Sequence, residues 1–303
     1  MRLLLKSYNS PLQNIAFEEQ LFKTFEEDTL RLWINPKSVI CGKHQNAYAE
    51  SNYHYCRNNE IPIIRRLSGG GTVFHDSGNI NFSFFRMVDS INPINYERNL
   101  KLIQSALIKI GYDIQISPRN DLFSGNFKIS GNAQHISGGR ALHHGTILYN
   151  ADLYLMKPAI KRESGVYIDK AVKSVRSPVV NLKSLQNCGS TMDFYELLTN
   201  QLLEHTESCN VDDPIDEELL SKYQSARWNF GYGPGYTFEN KRGHDHLKIA
   251  VNRGGEITAT DSNNMEWNKR LRKLVGKHHT WEDVISMLDI TNAMDLELSN
   301  LLF

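Results

Sequence analysis

The sequence predicts a mixed α+β fold: largely antiparallel sheets with packed helices, followed by a small α+β unit at the C-terminal end. Strand-like alternation and helical spacing interleave along the chain, with hairpin-like pairs more frequent than regular strand–helix–strand units. Glycine clusters separate the extended runs. The texture also changes after Trp228, where Gly231-Tyr232-Gly233-Pro234-Gly235 reads as a linker or sharp turn. These features divide the chain into a larger unit over 1–235 and a smaller one over 236–303. A chain of 303 residues is long enough for one sizeable core plus a second, small one.

Ser10 and Pro11 read as the N-cap and first position of a helix that carries Ile15, Leu21, Phe22 and Phe25 on one face. Thr29 to Ile34 and Ser38 to Cys41 read as strands around an Asn35-Pro36 turn. The clearest helix runs from Tyr96 to Ile110, with Leu100, Ile103, Leu107 and Ile110 at helical spacing and Gly111 at the C′ position. Thr191 opens another, with Leu197, Leu198 and Leu202 on its apolar side. In the smaller unit, Leu247 to Asn252 and Glu256 to Thr260 suggest strands around Arg253-Gly254-Gly255. A helix rich in Lys and Arg (Lys269 to Lys273) follows, then one opening at Thr280 with Asp283 in a capping-box position. No internal repeat or low-complexity tract is present.

The most informative stretch is Arg65-Arg66-Leu67-Ser68-Gly69-Gly70-Gly71-Thr72-Val73-Phe74-His75-Asp76. Consecutive glycines bring backbone N–H groups close to a ligand without interference from Cβ, and successive N–H groups form a concave nest for an anion. Beside Arg66, the loop reads as a grip for a phosphate or acyl-phosphate. It is not a P-loop, which needs Gly-Lys-Ser/Thr opening a helix, nor a dinucleotide fingerprint, because strand patterning (Ile80, Phe82, Phe84) follows it. The same glycines would also serve a wide hairpin turn with no ligand at all.

A second constellation combines Asn120-Asp121-Leu122, Phe127-Lys128-Ile129-Ser130-Gly131-Asn132-Ala133, a Ser137-Gly138-Gly139 turn and Arg140-Ala141-Leu142-His143-His144-Gly145-Thr146-Ile147-Leu148. It has the outline of a hairpin. Lys128 sits among small and β-branched residues, where a long ammonium chain can reach toward an anion. Asp121 could hold magnesium, which favours a carboxylate or two plus substrate phosphates. His143 and His144 lack partners at zinc-ligand spacing, and as neighbours on a strand only one can face a site.

Lys plus Arg and Asp plus Glu both number 34, so no bulk charge argues for nucleic acid or membrane. Cys41, Cys56, Cys188 and Cys209 form no C-x-x-C pair and suit a reducing compartment. The opening Met1-Arg2-Leu3-Leu4-Leu5-Lys6 is too short for a signal h-region, and Glu18 and Glu19 argue against a transit peptide. A cytoplasmic protein, expected to be monomeric, is the reading.

The glycine loop, the Lys-Ile-Ser-Gly-x-Ala segment, the His-His-Gly-Thr segment and Lys173-Ser174-Val175-Arg176-Ser177 together resemble lipoate–protein ligases, of the biotin/lipoate ligase superfamily. Trp228-Asn229-Phe230-Gly231 resembles that family's junction with its accessory domain. The likeness runs in order from about residue 1 to 240 and more weakly to the end.

The resemblance implies the superfamily's catalytic fold and two half-reactions. Lipoate and MgATP give lipoyl-adenylate and pyrophosphate; a lysine ε-amine of an acceptor domain then takes the lipoyl group and releases AMP. The acceptors implied are the E2 subunits of 2-oxoacid dehydrogenases and the glycine-cleavage H protein. Lys128, Arg66 and Asp121 would be the catalytic residues, with Asp121 organising magnesium or the lysine. The nucleotide or adenylate would lie against Arg66, Ser68, Gly69, Gly70, Gly71, Thr72, Val73, Phe74, His75, Asn79, Lys128, His144, Gly145 and Thr146. Val73, Phe82, Ile147 and Leu148 could line an apolar slot for the lipoyl tail, although core packing accounts for most of them.

Pro178 stands where these ligases usually carry a basic residue, and proline donates no backbone hydrogen bond; the segment over 236–303 is also short. Either change could weaken adenylate formation while leaving transfer intact. The rival readings are a lipoyl or octanoyl transferase of the same superfamily, a biotin ligase and a non-catalytic lipoyl or nucleotide-binding regulator. An octanoyl transferase would need a cysteine relay, and no cysteine lies between Arg65 and Leu182. The biotin ligase lacks its Gly-Arg-Gly-Arg type loop here.

Overall fold

The computed structural model describes residues 1–88, 96–160 and 165–303. Its largest sheet has six strands in the order 132–137, 140–148, 79–87, 29–34, 2–4, 207–209. Gly138 and Gly139 both take positive φ (58° and 71°), the conformation a two-residue hairpin turn requires. They join Asn132–Ser137 to Arg140–Leu148 in the anticipated hairpin. The strand Asn79–Met87 pairs antiparallel with Arg140–Leu148 on one side and Thr29–Ile34 on the other. Helices Tyr96–Ile110 and Thr191–Leu203 pack on this sheet through Leu100, Ile103, Leu107, Phe194, Leu198 and Leu202, all fully buried. Ile110 is half-buried, and Leu197 lies 42% exposed because the stripe that meets the sheet runs through Phe194 and Leu198. Ser190 caps the second helix in a capping box with Asp193.

Thr29–Ile34 and Ser38–Cys41 occur where alternation placed them, but belong to different sheets. Ser38–Cys41 is the central strand of a three-stranded sheet, parallel to Ile63–Arg65 and antiparallel to Val73–His75. The strands that flank the glycine loop therefore never pair with each other, and the loop passes across the end of the strand between them. A wide hairpin turn is excluded. Lys128 lies in another three-stranded sheet, on Phe127–Ser130.

Tyr236–Arg242, Asp245–Val251 and Ile257–Ser262 form a meander, and Val166–Asp169 joins its outer side. Helices Met265–Leu271, Trp281–Met287 and Ala293–Leu301 cover it; the last has no counterpart in the sequence reading. Thr280 caps Trp281–Met287 by accepting from the Asp283 N–H, while Asp283 turns back to the N–H of His278. This layer meets the rest of the molecule through an aromatic cluster, with Tyr48 stacked on Phe230 at 4.7 Å and His279 stacked on Phe303 at 4.7 Å. Among the described residues no helix is long and apolar enough to cross a membrane.

Candidate functional site

Arg65 and Arg66 point to opposite sides of their strand and do different work. Arg65 is wholly buried and donates to the carbonyls of Gly42, Lys43, Gln45, Trp228 and Asn229. The carbonyls of Trp228 and Asn229 thus help seat a buried cation. Arg66 turns the other way: Nη2 donates to the carbonyls of Gly69 (2.5 Å) and Gly71 (2.7 Å), Nη1 to Ile40 (3.0 Å), and Nε to Ser68 Oγ (2.9 Å). With the carbonyls of Gly69 and Gly71 drawn onto the guanidinium, the loop is fixed around a charge that no carboxylate contacts among the described residues. Burial brings the Arg66 pKa down to about 10, which leaves it cationic at neutral pH. Gly70 needs to be glycine twice over: its φ is +82°, and a Cβ would stand 3.0 Å from Arg66 Nη2.

The loop is one wall of a cavity of about 200 Å³. Opposite stand Lys128 and Asp121, joined Nζ to Oδ1 at 2.9 Å and both mostly buried. Asn132 projects from the hairpin into the same space; its Nδ2 donates to the Asn120 carbonyl, while its buried Oδ1 has no partner among the described residues. Asn120 sustains this with φ of 60°, which asparagine tolerates. Ser174 closes the rim: its Oγ accepts from the Thr72 N–H (2.9 Å) and from Gln45 Nε2 (3.1 Å), binding the 170–177 segment to the glycine loop.

The inner end is different in kind. Ile15, Trp33, Ile40 and Val73 give it apolar walls, and a buried chain of hydrogen bonds gives it a floor. Trp33 Nε1 donates to Ser83 Oγ (2.9 Å), which donates to Glu18 Oε1 (2.6 Å). From the far end Arg66 Nε donates to Ser68, whose hydroxyl meets His144 Nε2 at 2.6 Å; His144 Nδ1 meets Glu18 at 2.9 Å. The tryptophan and arginine can only donate, so both halves of the chain converge on the Glu18 carboxylate. Burial works to raise the Glu18 pKa, but His144, Ser83 and Arg31 together hold it below the usual carboxylate value.

Of the residues singled out by sequence, Arg66, Gly70, Gly71, Thr72, Val73, His75, Asp121, Lys128, His144, Gly145 and Thr146 line this one cavity. Ser68 stands behind it, bonded to His144 and Arg66; Gly69 reaches it only through its carbonyl on Arg66. Phe74 faces the core, and Asn79 is fully buried, with its neighbour on the same strand face, Asn81, at the cavity instead. Phe82 and Ile147 are core residues and Leu148 is buried outside the cavity, so Val73 alone of the four slot candidates lines it. His75 is neutral, its pKa pushed down to about 3 by burial and the nearby Arg66 charge. His143 faces the opposite side of the sheet from His144, amid Phe82, Phe84 and Tyr96, and burial lowers it likewise to about 3.

Glu18, Trp33, Gln45, Asn81 and Ser174 were not singled out as site residues. A carboxylate one turn from Ile15 on an otherwise apolar helix face was the available signal for Glu18. None of the four cysteines lines the cavity; burial raises the Cys41 thiol and pushes Cys56 up to about 12. The Pro178 carbonyl accepts from the Lys128 N–H at 2.9 Å, tying this segment to the strand that carries the lysine.

A glycine loop fixed on a buried arginine, facing a lysine–aspartate pair above an apolar recess, forms a site for an anionic ligand with a non-polar part. Comparison places it more narrowly. Residues 10–203 match the family described as the lipoyl protein ligase A/B catalytic domain, and the chain belongs to that family. It is 35% identical over 257 residues to lipoate–protein ligase 1 of Staphylococcus aureus, covering 80% of this chain and 78% of the relative. A crystal structure of lipoate–protein ligase A bound with ATP aligns at a TM-score of 0.61 and 25% identity, over 76% of this chain and 98% of that one. The lipoate complex of LipL1 from P. falciparum shares the fold along 99% of both chains, at a TM-score of 0.65 and 20% identity.

Proposed function

We propose that this protein is an ATP-dependent lipoate–protein ligase, forming lipoyl-AMP and passing the lipoyl group to a lysine of apo lipoyl domains. The observation that carries this reading is the division of one cavity into a cationic mouth, walled by the glycine loop, Arg66 and Lys128, and an inner end with apolar walls from Ile15, Trp33, Ile40 and Val73. A short acyl chain would leave the inner end wasted, and a fully apolar ligand would leave the mouth wasted. The relative at 35% identity and the ATP-bound ligase support it.

In the first half-reaction a lipoate carboxylate oxygen attacks the α-phosphorus of ATP; the P–O bond to the β-phosphate breaks and pyrophosphate leaves. Negative charge grows on the non-bridging oxygens, where preorganised donors act most strongly. Lys128 would meet that charge directly. Arg66 would act through the loop, holding the Gly69 and Gly71 carbonyls away from the anion while its own charge lies behind the nest. In the second half-reaction the neutral acceptor amine attacks the mixed anhydride carbon, a C–N bond forms, the C–O bond to phosphate breaks, AMP leaves with the electron pair and the nitrogen gives up one proton to solvent. Lys128, reaching both phosphate and carbonyl oxygen, would serve each step, with Asp121 positioning its ammonium. Asp121 and the unpartnered Asn132 Oδ1 suit a magnesium that draws its other ligands from substrate phosphates and water; bound there, it would neutralise phosphate charge. We further propose two units, 1–235 and 236–303, with Val166–Asp169 crossing from the first to the sheet of the second.

The test is the intact mass of an apo lipoyl domain after incubation with the protein, lipoate and MgATP, against an ATP-free control and Lys128→Ala. An ATP-dependent gain of one lipoyl group, lost in the variant, is expected. A gain only from supplied lipoyl-adenylate or an acyl carrier would make the protein a transferase; full ligation by Lys128→Ala would refute the mechanism.

A further inference from the structure

Three polar side chains stand in one row across the large sheet. Arg31 on Thr29–Ile34 pairs in register with Ser83 on Asn79–Met87, and Ser83 with His144 on Arg140–Leu148. Trp33, Asn81 and Thr146 form the next row on the same face, because residues two apart along a strand share a face. Helix Pro11–Thr24 supplies Glu18 to the first row, where its carboxylate meets the Ser83 hydroxyl at 2.6 Å and His144 Nδ1 at 2.9 Å. Glu18, Ser83 and Ser68 are each at most 2% exposed. Burying a charge and hydroxyls is costly unless they are paired, and apolar residues of similar volume would seat the helix without that cost. Stability alone does not account for the row.

The two arms that meet at Glu18 fix different ends of the cavity. One arm fixes a wall. Trp33 lines the recess with Arg31 over its ring at 4.4 Å and His75 edge-on at 5.8 Å. Its Nε1–H has Ser83 Oγ as acceptor, so that hydroxyl sets the rotation of the ring. The other arm fixes the loop, running from Arg66 Nε through Ser68 and His144 to Glu18. Arg66 can only donate. The Ser68 hydroxyl lies 2.6 Å from His144 Nε2 against 3.4 Å from the Gly69 carbonyl, so its proton goes to the imidazole. The imidazole's own proton then sits on Nδ1 against Glu18, and the carboxylate thereby selects the tautomer. Arg66 has no carboxylate contact among the described residues; the anion at the end of its hydrogen-bond chain is Glu18.

We propose that Glu18 is a positioning residue for both ends of the site, acting through Ser83 on the Trp33 wall and through His144 and Ser68 on the Arg66 loop. The inference rests on the ligase reading, which assigns the acyl tail to the first end and the phosphates to the second. Neither serine lines the cavity. Each arm can be cut without cutting the other, because Glu18 accepts from Ser83 and from His144 independently.

The experiment measures lipoate-dependent ATP–pyrophosphate exchange over a lipoate series and an ATP series. Ser83→Ala leaves the Trp33 N–H without its acceptor while Glu18 keeps His144. The lipoate KM should rise about fivefold or more, with kcat and the ATP KM within about twofold of wild type. Ser83→Thr keeps the hydroxyl and should recover most of that loss. Glu18→Gln does the reverse: its amide oxygen still accepts from Ser83, but its N–H now faces His144 Nδ1 and turns the imidazole's proton onto Ser68. Exchange kcat should fall about tenfold or more with the lipoate KM little changed. In isotope-labelled protein without ligands, the Trp33 indole N–H resonance, identified by its loss in Trp33→Phe, should move in Ser83→Ala and stay in Glu18→Gln.

A rise in lipoate KM as the main effect of Glu18→Gln would overturn the proposal by making Glu18 a wall of the recess and nothing more. The same parameters failing together in Ser83→Ala and Glu18→Gln would overturn it as well, since the row would then be a structural support without separate arms. If wild-type protein exchanges no pyrophosphate, the ligase reading fails first and the proposal falls with it.

Discussion

Substituting Gly42 by alanine should disable the site from outside it. Gly42 follows the central strand Ser38–Cys41 and lies under the glycine loop: a Cβ would stand 3.0 Å from the Gly70 carbonyl carbon, closer still to its oxygen, and 3.2 Å from Gln45 Oε1. Carbon atoms rest at about 3.5–4.0 Å from their neighbours, and the oxygen is the nearer contact, so something must move by about 1 Å or more. Gly42 itself is pinned, its N–H donating to Gln45 Oε1 at 2.9 Å and its carbonyl accepting from Arg65 at 3.1 Å. The glycine loop is the side that yields, and it drags Gly71 and Thr72 with it. Overpacking of this kind costs about 1–3 kcal/mol of stability, and a reacting group displaced by about 1 Å costs up to ~100-fold in rate. Lipoate-dependent ATP–pyrophosphate exchange should fall about 10- to 100-fold, while melting shifts by only a few degrees. An alanine variant with wild-type exchange would show that the loop's position against Gly42 does not matter for adenylation.

Ser174→Ala removes the acceptor for the Thr72 N–H and Gln45 Nε2, unlatching the 170–177 segment at a cost of about 1 kcal/mol per bond. The KM for ATP should rise severalfold with little change in melting, checked by exchange kinetics over an ATP series. Pro178→Ala should stay within about twofold of wild type in exchange, because the structure uses the residue's carbonyl and not its nitrogen; a larger change would assign the proline a role the fold does not reveal. Acid should destabilise the protein through histidines buried in neutral form. His75 and His143 titrate near 3 when folded against 6.5 in the unfolded chain, so the unfolded state takes up protons first as pH falls below 6.5. Their contribution is fully present above pH 6.5 and is lost progressively down to about pH 3, amounting to about 2 kcal/mol each at pH 5. His143→Phe fits the surrounding rings and removes one such site; the drop in melting temperature between pH 7 and pH 5 should shrink by a third or more. An unchanged drop would mean that His143 is protonated inside the fold.

Where a property depended on neighbours in the chain, it was legible. The helix Tyr96–Ile110 and the strands Thr29–Ile34 and Ser38–Cys41 run between the residues that periodicity marked, because burying one stripe or one face sets a local repeat. The Gly138-Gly139 hairpin follows from backbone freedom alone. The opposed directions of His143 and His144 follow from strand geometry, although which of them faces the cavity does not. Motif order announced the family.

Tertiary structure decided everything that joins distant residues. Nothing in Arg65-Arg66 says that one arginine will seat the Trp228-Asn229 junction and the other will hold the loop's own carbonyls. Those partners lie up to 164 positions away, and both arginines have the same donors to offer. Nothing in Glu18-Glu19 names their partners until the helix is packed; then Glu18 meets His144, 126 positions on, and Glu19 meets Lys222 and Tyr223, more than 200 positions on. Sheet order was equally hidden, since alternation reports which face a strand buries but not which strand lies beside it. The sequence by itself thus determined the strongly periodic elements and the family. Packing alone decided where the charges end, because a buried ion takes whatever partner the folded chain brings within reach.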